Sequence, residues 1–268
     1  MLIEGLNGLK KYFNFRLKSK PRGGHGIHSP FVYDFYTQCI DVKSKKEIFD
    51  KIETVRKELL LDKSFIELND LGSGTKTKAK SIATVADIAK RNSAPSYKGK
   101  MLHRLTAYLK PETVIELGTS LGISTMYIAS GLDTVKVYTI EGDSNLSKLA
   151  IKNFNKIGLT NVNQINGDFD AKLPELFSEI KSVGIAYVDG NHTEEATLRY
   201  FKLLSARANS DTLIIFDDIR WSKGMESAWN TICNDENVSI SIDMFDCGLA
   251  FFRKGVVKQH FTLRYGPF

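Results

Sequence analysis

The chain has few cysteines and no long apolar segment. Its 268 residues include three cysteines, Cys39, Cys233 and Cys247, and none belongs to a C-x-x-C pair. We therefore expect reduced thiols in a cytoplasmic protein rather than a disulfide framework. No apolar run reaches the roughly 18–20 residues that span a bilayer. The N-terminal stretch lacks a continuous apolar core and a small-residue cleavage site, so we do not expect a secretory signal.

The net charge of +6 is unevenly distributed. Residues 1–105 contain 21 Lys and Arg against 11 Asp and Glu, whereas residues 106–268 contain 16 against 20. The basic part could attract acidic substrates, nucleic acid or a membrane surface, or it could simply be a solvated surface. Its first segment fits a helix docked on its own domain or one lying on anionic lipid, because apolar residues recur at helical spacing: Leu2, Leu6, Leu9 and Phe13.

A glycine-rich loop, PRGGHGIHS, follows this segment. His25 and His28 in the loop fit a two-histidine metal site, a flexible lid or a plain helix entry. Ser29 and Pro30 predict the N-cap and the first residue of a helix over 31–40.

A second glycine-rich stretch, NDLGSGT at 69–75, imitates a cofactor loop. The preceding SFIEL is a poor strand pattern, the following KTKAK is basic, and no acid closes a second strand about 20 residues later. We therefore interpret this stretch as a substrate-side loop. Helices are predicted at Ser81–Arg91 and Lys100–Leu109, with a linker between them.

The stretch VIELGTSLGISTMYIA predicts a buried strand at Thr113–Leu117, a turn from Gly118 to Gly122 and a helix that begins at Ile123. Glycines let the backbone turn sharply and leave no side chain between it and a ligand. Ser124 lies in the first helical turn, where unpaired N–H groups attract an anion such as a carboxylate. The acid-x-Gly-x-x-x-Gly spacing is not the G-x-G-x-x-G of dinucleotide sites, and a tight turn without a ligand is the alternative.

From residue 111 onward, predicted strands and helices alternate. Near-continuous apolar strands between amphipathic helices indicate an α/β fold with a parallel, doubly wound, Rossmann-like sheet. Two further strands, VSISIDM and GLAFFRK, are expected to form an antiparallel hairpin at one edge, which makes seven strands. The five parallel strands are predicted at Thr113–Leu117, Val135–Ile140, Val162–Asn166, Gly184–Asp189 and Thr212–Asp217.

Over about Glu112–Arg253 this pattern resembles the class I S-adenosylmethionine (SAM)-dependent methyltransferases, whose motif I matches the glycine turn. Glu141 ends the second strand, 23 residues after Gly118, where a carboxylate can accept from both ribose hydroxyls. The resemblance implies a cofactor site at the carboxyl ends of the strands, with turn residues Glu116, Gly118, Thr119, Ser120, Gly122 and Ser124.

The resemblance gives two further acids a place beside the cofactor. Asp168 matches the family position next to the adenine, and Phe169 could pack on that base. Glu116 could face the methionine ammonium directly or through a water. Each acid alone fits a surface or capping role, but three acids at successive strand ends favour SAM binding.

The fourth and fifth strands end in Asp189 and in Asp217 with Asp218. The ends of adjacent parallel strands lie about 5 Å apart, so the three carboxylates are expected to converge. Carboxylates that close repel one another unless they are protonated or neutralised by a cation. Oxygen-rich sites suit hard cations such as Mg²⁺ or Ca²⁺, and helix capping is the alternative for these residues.

The arrangement is similar to that of the catechol-type, metal-dependent O-methyltransferases. In that family an aspartate after strand four and an Asp-Asn pair after strand five hold Mg²⁺, and a base three residues after the first aspartate takes the hydroxyl proton. The resemblance makes Asp189 and Asp217 the two aspartates and His192 the base, and it places Asp189 beside the cofactor as well. Asp218 stands where the family has Asn, and His192 where it has Lys. Histidine can take a proton near neutral pH, which suits His192 to the role of base. The alternative is that His192 is a surface residue at the start of a helix.

We therefore predict a methyltransferase domain at 106–268 and a mostly helical extension at 1–105 that caps the acceptor site. The expected reaction is methyl transfer from SAM to a small-molecule hydroxyl, with an acidic acceptor favoured by the basic extension. No N-P-P-Y-like tetrapeptide for amine methylation follows strand four. The alternatives are a nucleic-acid methyltransferase or binder, a catalytically silent SAM-binding protein and, more distantly, a nicotinamide dehydrogenase. A homodimer is one option for the assembly.

Overall fold

The computed structural model describes residues 11–20, 22–43, 45–69 and 80–266. Within these ranges the chain forms a two-stranded hairpin and an eight-stranded sheet. In chain order the strands are β1 (Phe65–Asn69), β2 (Lys80–Thr84), β3 (Thr113–Leu117), β4 (Lys136–Glu141), β5 (Val162–Asn166), β6 (Ile185–Val188), β7 (Leu213–Asp217), β8 (Ile240–Asp243), β9 (Cys247–Phe251) and β10 (Gln259–Thr262).

The helices connect these strands and cover both faces of the large sheet. Most are amphipathic segments of two to four turns, and several begin at a Ser, Thr or Asp N-cap. They are α1 (11–18), α2 (Pro30–Phe35), α3 (Glu47–Leu61), α4 (Val85–Asn92), α5 (Ser96–Leu109), α6 (Ile123–Ala129), α7 (Ser144–Lys156), α8 (Phe169–Glu179), α9 (Glu194–Ser205) and α10 (Lys223–Asn234).

The large sheet has the strand order β10-β8-β9-β7-β6-β3-β4-β5. Strands β3 to β7 pair in parallel, β9 runs antiparallel to both β7 and β8, and β10 pairs in parallel with β8. The strand order reverses between β3 and β6, because β4 follows β3 on one side and β6 pairs on the other. In open α/β sheets such a switch point, at the carboxyl ends of the strands, is where ligands bind.

Alternating side chains of the parallel strands build a separate core on each face of the sheet. Val114 and Ile185 belong to one cluster, which α5 completes with Met101 and Leu105. Ile115 and its neighbours belong to the other, together with apolar residues of α8, α9 and α10. Because both faces are covered, the strand residues are apolar almost without interruption.

The predicted α/β fold class is confirmed, and so is the antiparallel pair near the end of the chain. The prediction of seven strands is corrected to eight in the described sheet, because the short strand β10 pairs with β8 beyond that pair. Most of SFIEL, which is a poor strand pattern, nevertheless forms β1, since this strand pairs with β2. The helix predicted from Ser81 therefore begins only at Val85, after β2.

The segments before the sheet pack closely against it. Ser29 caps α2 as predicted, and its side chain accepts from Val32 N; a short π-helical segment, Tyr36–Ile40, continues the helix. Helices α3 and α4 share an apolar cluster with α6, in which Ile52 and Met126 are fully buried. The predicted boundary after residue 105 falls inside α5.

Some predictions concern residues beyond the described ranges. The apolar residues Leu2, Leu6 and Leu9, and most of the loop 69–75, lie outside the described part. Among the described helices, none is long and apolar enough to cross a bilayer.

Candidate functional site

A single cleft of about 670 Å³ opens at the carboxyl ends of β3, β4, β5, β6 and β7, at the switch point of the sheet. This volume is within the range of small-molecule sites. The glycine turn and the residues that follow β4 and β5 line one part, and the residues that follow β6 and β7 line the other. Residues 91–95, which lead from α4 to α5, also line the cleft.

The two motif glycines are required by close packing within the protein. Gly118 has a φ of 103°, and a Cβ there would lie 2.0 Å from the carbonyl oxygen of Asp189. Gly122 has a φ of 82°, and a Cβ there would lie 2.4 Å from the ring of Phe154 on α7. At both positions the space that a Cβ would need is filled by the protein itself, and Gly122 is not among the residues that line the cleft, so its predicted contact with the cofactor stays a prediction.

Glu141 ends β4 and lines the cleft. Its Oε2 accepts from Ser120 N at 2.7 Å, and its Oε1 accepts from Asp143 N at 2.9 Å. A carboxylate has about four acceptor positions, so two backbone bonds fix its direction and leave capacity for a ligand. Burial raises the pKa of Glu141, and the two backbone N–H groups counteract this.

Glu116 lies in β3 and is fully buried. Its Oε2 accepts from Thr125 Oγ1 at 2.5 Å and from Thr139 Oγ1 at 2.6 Å. Within the described residues its Oε1 has no hydrogen-bond partner. Burial raises the pKa of Glu116 to about 7. Glu116 is not among the residues that line the cleft, so its predicted contact with the cofactor remains a prediction.

The turn between β3 and α6 positions three hydroxyl side chains predicted for the cofactor. Thr119 is buried, and its Oγ1 lies 2.6 Å from Thr139 Oγ1. Ser120 adopts a left-handed conformation, with a φ of 49°. Ser124 lies in the first turn of α6. All three residues line the cleft, together with Gly118.

Asp168 and Phe169 begin α8 at the same end of the cleft. Asp168 is the N-cap, and its Oδ1 accepts from Asp170 N at 2.8 Å, so it has the capping role that was its alternative. Phe169 packs edge-on against Tyr200 at 5.8 Å and closely against Gly190, where a Cβ would lie 2.7 Å from the ring. These contacts hold the ring of Phe169 in place beside the cleft.

At the other end of the cleft, the aspartates after β6 and β7 converge as the strand pattern predicts. The hydroxyl of Tyr187 lies 2.5 Å from Asp217 Oδ2 and 3.2 Å from Asp189 Oδ2. Burial and the carboxylate of Asp217 raise the pKa of Asp189 well above its usual range. The same two causes raise the pKa of Asp218, which has a left-handed backbone with a φ of 53°.

A lysine lies among these acids. Lys98 of α5 is only 5% exposed, and its Nζ lies 2.5 Å from Asp217 Oδ1 and 3.4 Å from Asp246 Oδ2. Burial lowers the pKa of Lys98, but the carboxylates of Asp217 and Asp246 outweigh that effect and raise it overall. The lysine therefore stays charged and neutralises part of the acidic cluster.

His192 and Trp221 line the cleft above the aspartates. His192 Nε2 lies 3.7 Å from Asp189 Oδ1, and its ring centroid lies 6.4 Å from that of Trp221. Trp221 is 71% exposed, so it is not a buried packing residue. Arg220 is bound away from the cleft by Asp243, through NH1 at 2.8 Å and NH2 at 2.5 Å.

The donor set of this cluster does not fit the predicted divalent cation. Asp217 Oδ1 accepts from Lys98 and from Asp218 N, and Asp217 Oδ2 accepts from Tyr187. Both oxygens of Asp217 are therefore already engaged, Oδ1 by the ammonium of Lys98 and Oδ2 by the hydroxyl of Tyr187. Across the described ranges, no group of three or more His, Cys, Asp and Glu side chains has the arrangement of a metal site. The loop residues His25 and His28 are exposed and do not line the cleft.

Sequence reasoning missed Lys98, Tyr187 and Asp246. Lys98 falls in the stretch interpreted as a linker, but α5 begins at Ser96, directly after Pro95. Proline at the start of a helix is a signal that could have indicated the longer helix. No spacing rule could have paired Lys98 with Asp217, which lies 119 residues away in the sequence.

Comparisons with known proteins agree with this geometry. Residues 115–219 match a protein-family model described as a methyltransferase domain, and they span β3 to β7. A catechol O-methyltransferase from Niastella koreensis is 29% identical over 124 residues, which cover 45% of this chain and 55% of that protein. The chain thus spans about half the length of the curated relative it matches.

Solved structures show the same fold. The O-methyltransferase from Bacillus cereus in complex with SAH has a TM-score of 0.57 and 17% identity, covering 82% of this chain and 97% of that chain. The O-methyltransferase TomG from Streptomyces achromogenes, solved with SAM, has a TM-score of 0.57 and 17% identity, covering 82% and 94%.

Over residues 115–219 the chain is thus similar to a methyltransferase domain, and it has the fold of the solved O-methyltransferases, in agreement with the resemblance seen in the sequence.

Proposed function

We propose that this protein transfers a methyl group from SAM to a hydroxyl group of a small-molecule acceptor. The observation that carries the proposal is one cleft that contains two chemically different ends. One end has Glu141 and Phe169 beside the glycine turn, and the other has His192 above the carboxylates of Asp189 and Asp217. A methyl donor and an acceptor bound in this cleft would meet in its middle.

The cofactor end offers the contacts that a nucleoside needs. In our proposal Glu141 accepts from the ribose hydroxyls with the acceptor positions that its two backbone bonds leave open. Phe169 packs on the adenine, with Asp168 at its edge. The methionine part lies along Gly118–Ser120 and Ser124, where the first N–H groups of α6 attract its carboxylate.

The acceptor end supplies a base. The acceptor hydroxyl gives its proton to His192 as its oxygen forms a bond to the methyl carbon and the bond from that carbon to sulfur breaks. The sulfonium loses its charge and leaves as the thioether S-adenosylhomocysteine, while the charge passes to the histidine. Asp189, 3.7 Å from His192 Nε2, orients the imidazole and stabilises its protonated form. Alignment of donor and acceptor in the cleft lowers the barrier further.

We propose that the segments before β3 select the acceptor. Residues 91–95 line the cleft, and so do Leu68 of β1 and Ser81 of β2. Arg91 is basic and lines the same cleft, which favours an acceptor with a carboxylate or phosphate group. The extension at 1–105 would then act as a cap on the methyltransferase domain, whose acceptor is small because the cleft is of limited volume.

Ligand-induced thermal stabilisation tests the cofactor assignment. SAM should raise the melting temperature by mass action, whereas NAD should not. Glu141→Gln should weaken SAM binding about 10- to 100-fold, because hydrogen bonds to a charged group contribute about 1.5–3 kcal/mol. Glu236→Gln, at an exposed site outside the cleft, is the matched control. Stabilisation by NAD and not by SAM would refute the assignment.

Transfer of a labelled methyl group tests the reaction. The acceptors to compare are catechols and hydroxybenzoates, with and without a carboxylate or phosphate, and a nucleic-acid substrate. His192→Gln should lower kcat about 10²- to 10⁴-fold and leave SAM affinity unchanged, because it removes only the proton acceptor. His28→Gln, an exposed histidine away from the cleft, should behave like the wild type. SAM binding without methylation of any acceptor would favour a catalytically silent SAM-binding protein. Methylation of nucleic acid alone would favour a nucleic-acid methyltransferase.

A further inference from the structure

The acceptor end of the cleft contains the positive charge of a buried lysine, which was not part of the predicted metal site. Lys98 extends from the first turn of α5 to the end of β7, and its ammonium is almost completely enclosed while still lining the cleft. Burying an ammonium is costly unless it is paired and hydrogen-bonded. Here it is paired with Asp217 and Asp246.

We propose that the ammonium of Lys98 is the cation of the acceptor site, in the place where the sequence predicts a divalent metal, and that methyl transfer by this protein needs no metal. The proposal rests on the proposed function, since it assigns the charge that stabilises the acceptor oxygen in that reaction.

The hydrogen bonds of Asp217 leave little space for a second cation. Three donors reach its carboxylate: the Lys98 ammonium at 2.5 Å, Asp218 N at 2.9 Å and the Tyr187 hydroxyl at 2.5 Å. A carboxylate has about four acceptor positions, so most are used. A divalent ion on either oxygen would have to lie beside the ammonium or displace it. An ion beside the ammonium would be repelled by its like charge in a buried site. An ion that displaced the ammonium would leave the buried lysine charged and without its partner, which is costly.

The lysine also has a donor to spare. An ammonium has three N–H groups. The hydrogen bond to Asp217 uses one of them, and a second can face Asp246, whose carboxylate forms an ion pair with the ammonium at 3.4 Å. The third can donate to an acceptor oxygen in the cleft that Lys98 lines. As His192 removes the hydroxyl proton, this donor would stabilise the developing negative charge on the oxygen, which is the task that a metal would otherwise perform.

Two variants separate this role from a structural one. Lys98→Met keeps the length of the side chain and removes the charge, which leaves Asp217 buried and unpaired. Lys98→Met combined with Asp217→Asn removes both charges, so that stability should be largely recovered. Lys100→Met, on the same helix but outside the cleft, is the matched control. The readouts are thermal stability, SAM affinity, and kcat and KM for the acceptor.

If Lys98 stabilises the acceptor oxygen, the double variant folds and binds SAM within about threefold of wild type but loses at least about 100-fold in kcat. The control keeps its kcat. If the double variant recovers wild-type kcat, Lys98 only neutralises Asp217 and the proposal is overturned. Loss of SAM affinity in step with kcat would also overturn it, because the lysine would then support the cofactor site.

Metal dependence is measured on the wild-type protein. Its turnover should be unchanged after EDTA treatment and after addition of Mg²⁺, Mn²⁺ or Ca²⁺. Calorimetric titration with Mn²⁺ should give the same result for the wild type and for Asp217→Asn, because no metal binds at Asp217. EDTA-sensitive turnover restored by Mg²⁺, or Mn²⁺ binding that requires Asp217, would overturn the proposal. The titration needs no acceptor. If no methylation reaction is found, that failure counts against the proposed function, whereas the Mn²⁺ titration still tests whether a metal binds at Asp217.

Discussion

Ionisation of Glu116 should make the protein less stable as the pH rises. Burial raises the pKa of this carboxyl from 4.5 to about 7 in the folded state. Between these two values the native state binds a proton that the unfolded state has lost, so the free energy of unfolding falls with rising pH and becomes constant only above about pH 8. At 1.36 kcal/mol per pKa unit, the shift corresponds to about 3 kcal/mol over the whole window.

The comparison of wild type with Glu116→Gln isolates this effect. The amide cannot ionise, so the variant should gain about 3 kcal/mol relative to wild type between about pH 4 and about pH 8. Other buried acids with raised pKa values, such as Glu141 and Asp189, cancel because both proteins contain them. Glu112→Gln, an exposed site just before the same strand, is the matched control and should show no gain.

Urea denaturation followed by circular dichroism at a series of pH values provides the measurement. The slope with urea must agree between the two proteins, since this shows that the same surface is exposed on unfolding. Parallel stability curves for wild type and Glu116→Gln would refute the reasoning. They would mean that the bonds from Thr125 and Thr139 hold the carboxylate in its ionised form despite burial.

Three further variants test the packing and the cleft. Gly118→Ala should lower the free energy of unfolding by several kcal/mol and abolish SAM binding, because its Cβ would lie 2.0 Å from a carbonyl oxygen and its φ is 103°. Gly158→Ala is the control: it has open space around it and a φ of 76°, so it should lower the free energy of unfolding by only about 1 kcal/mol in the same denaturation assay. Phe169→Ala should weaken SAM binding by calorimetry about tenfold, by loss of ring packing; an unchanged Kd would remove Phe169 from the cofactor site. Trp221→Ala should raise the KM of the acceptor without changing SAM affinity, and an unchanged KM would place the acceptor away from this exposed ring.

Local patterns in the sequence were sufficient for the cofactor side of the fold. Apolar runs of four to six residues predicted the parallel strands, and the glycine turn predicted the start of α6, because these features depend on neighbours in the chain. Glu141 and Asp168 follow directly from strand ends that parallel pairing brings to one edge. The same rule brought Asp189 and Asp217 together.

Tertiary packing decided what the sequence left open. The pairing of Lys98 with Asp217 depends on how α5 lies across the sheet, and the pairing of Arg220 with Asp243 depends on where β8 ends. Neither is encoded in a spacing, since each joins a side chain to a carboxylate on another element. The sequence by itself therefore determined the methyltransferase fold and the position of its cleft. Only the packed structure decided that the buried ammonium of Lys98 lies against Asp217, because this charge comes from a helix distant in the chain.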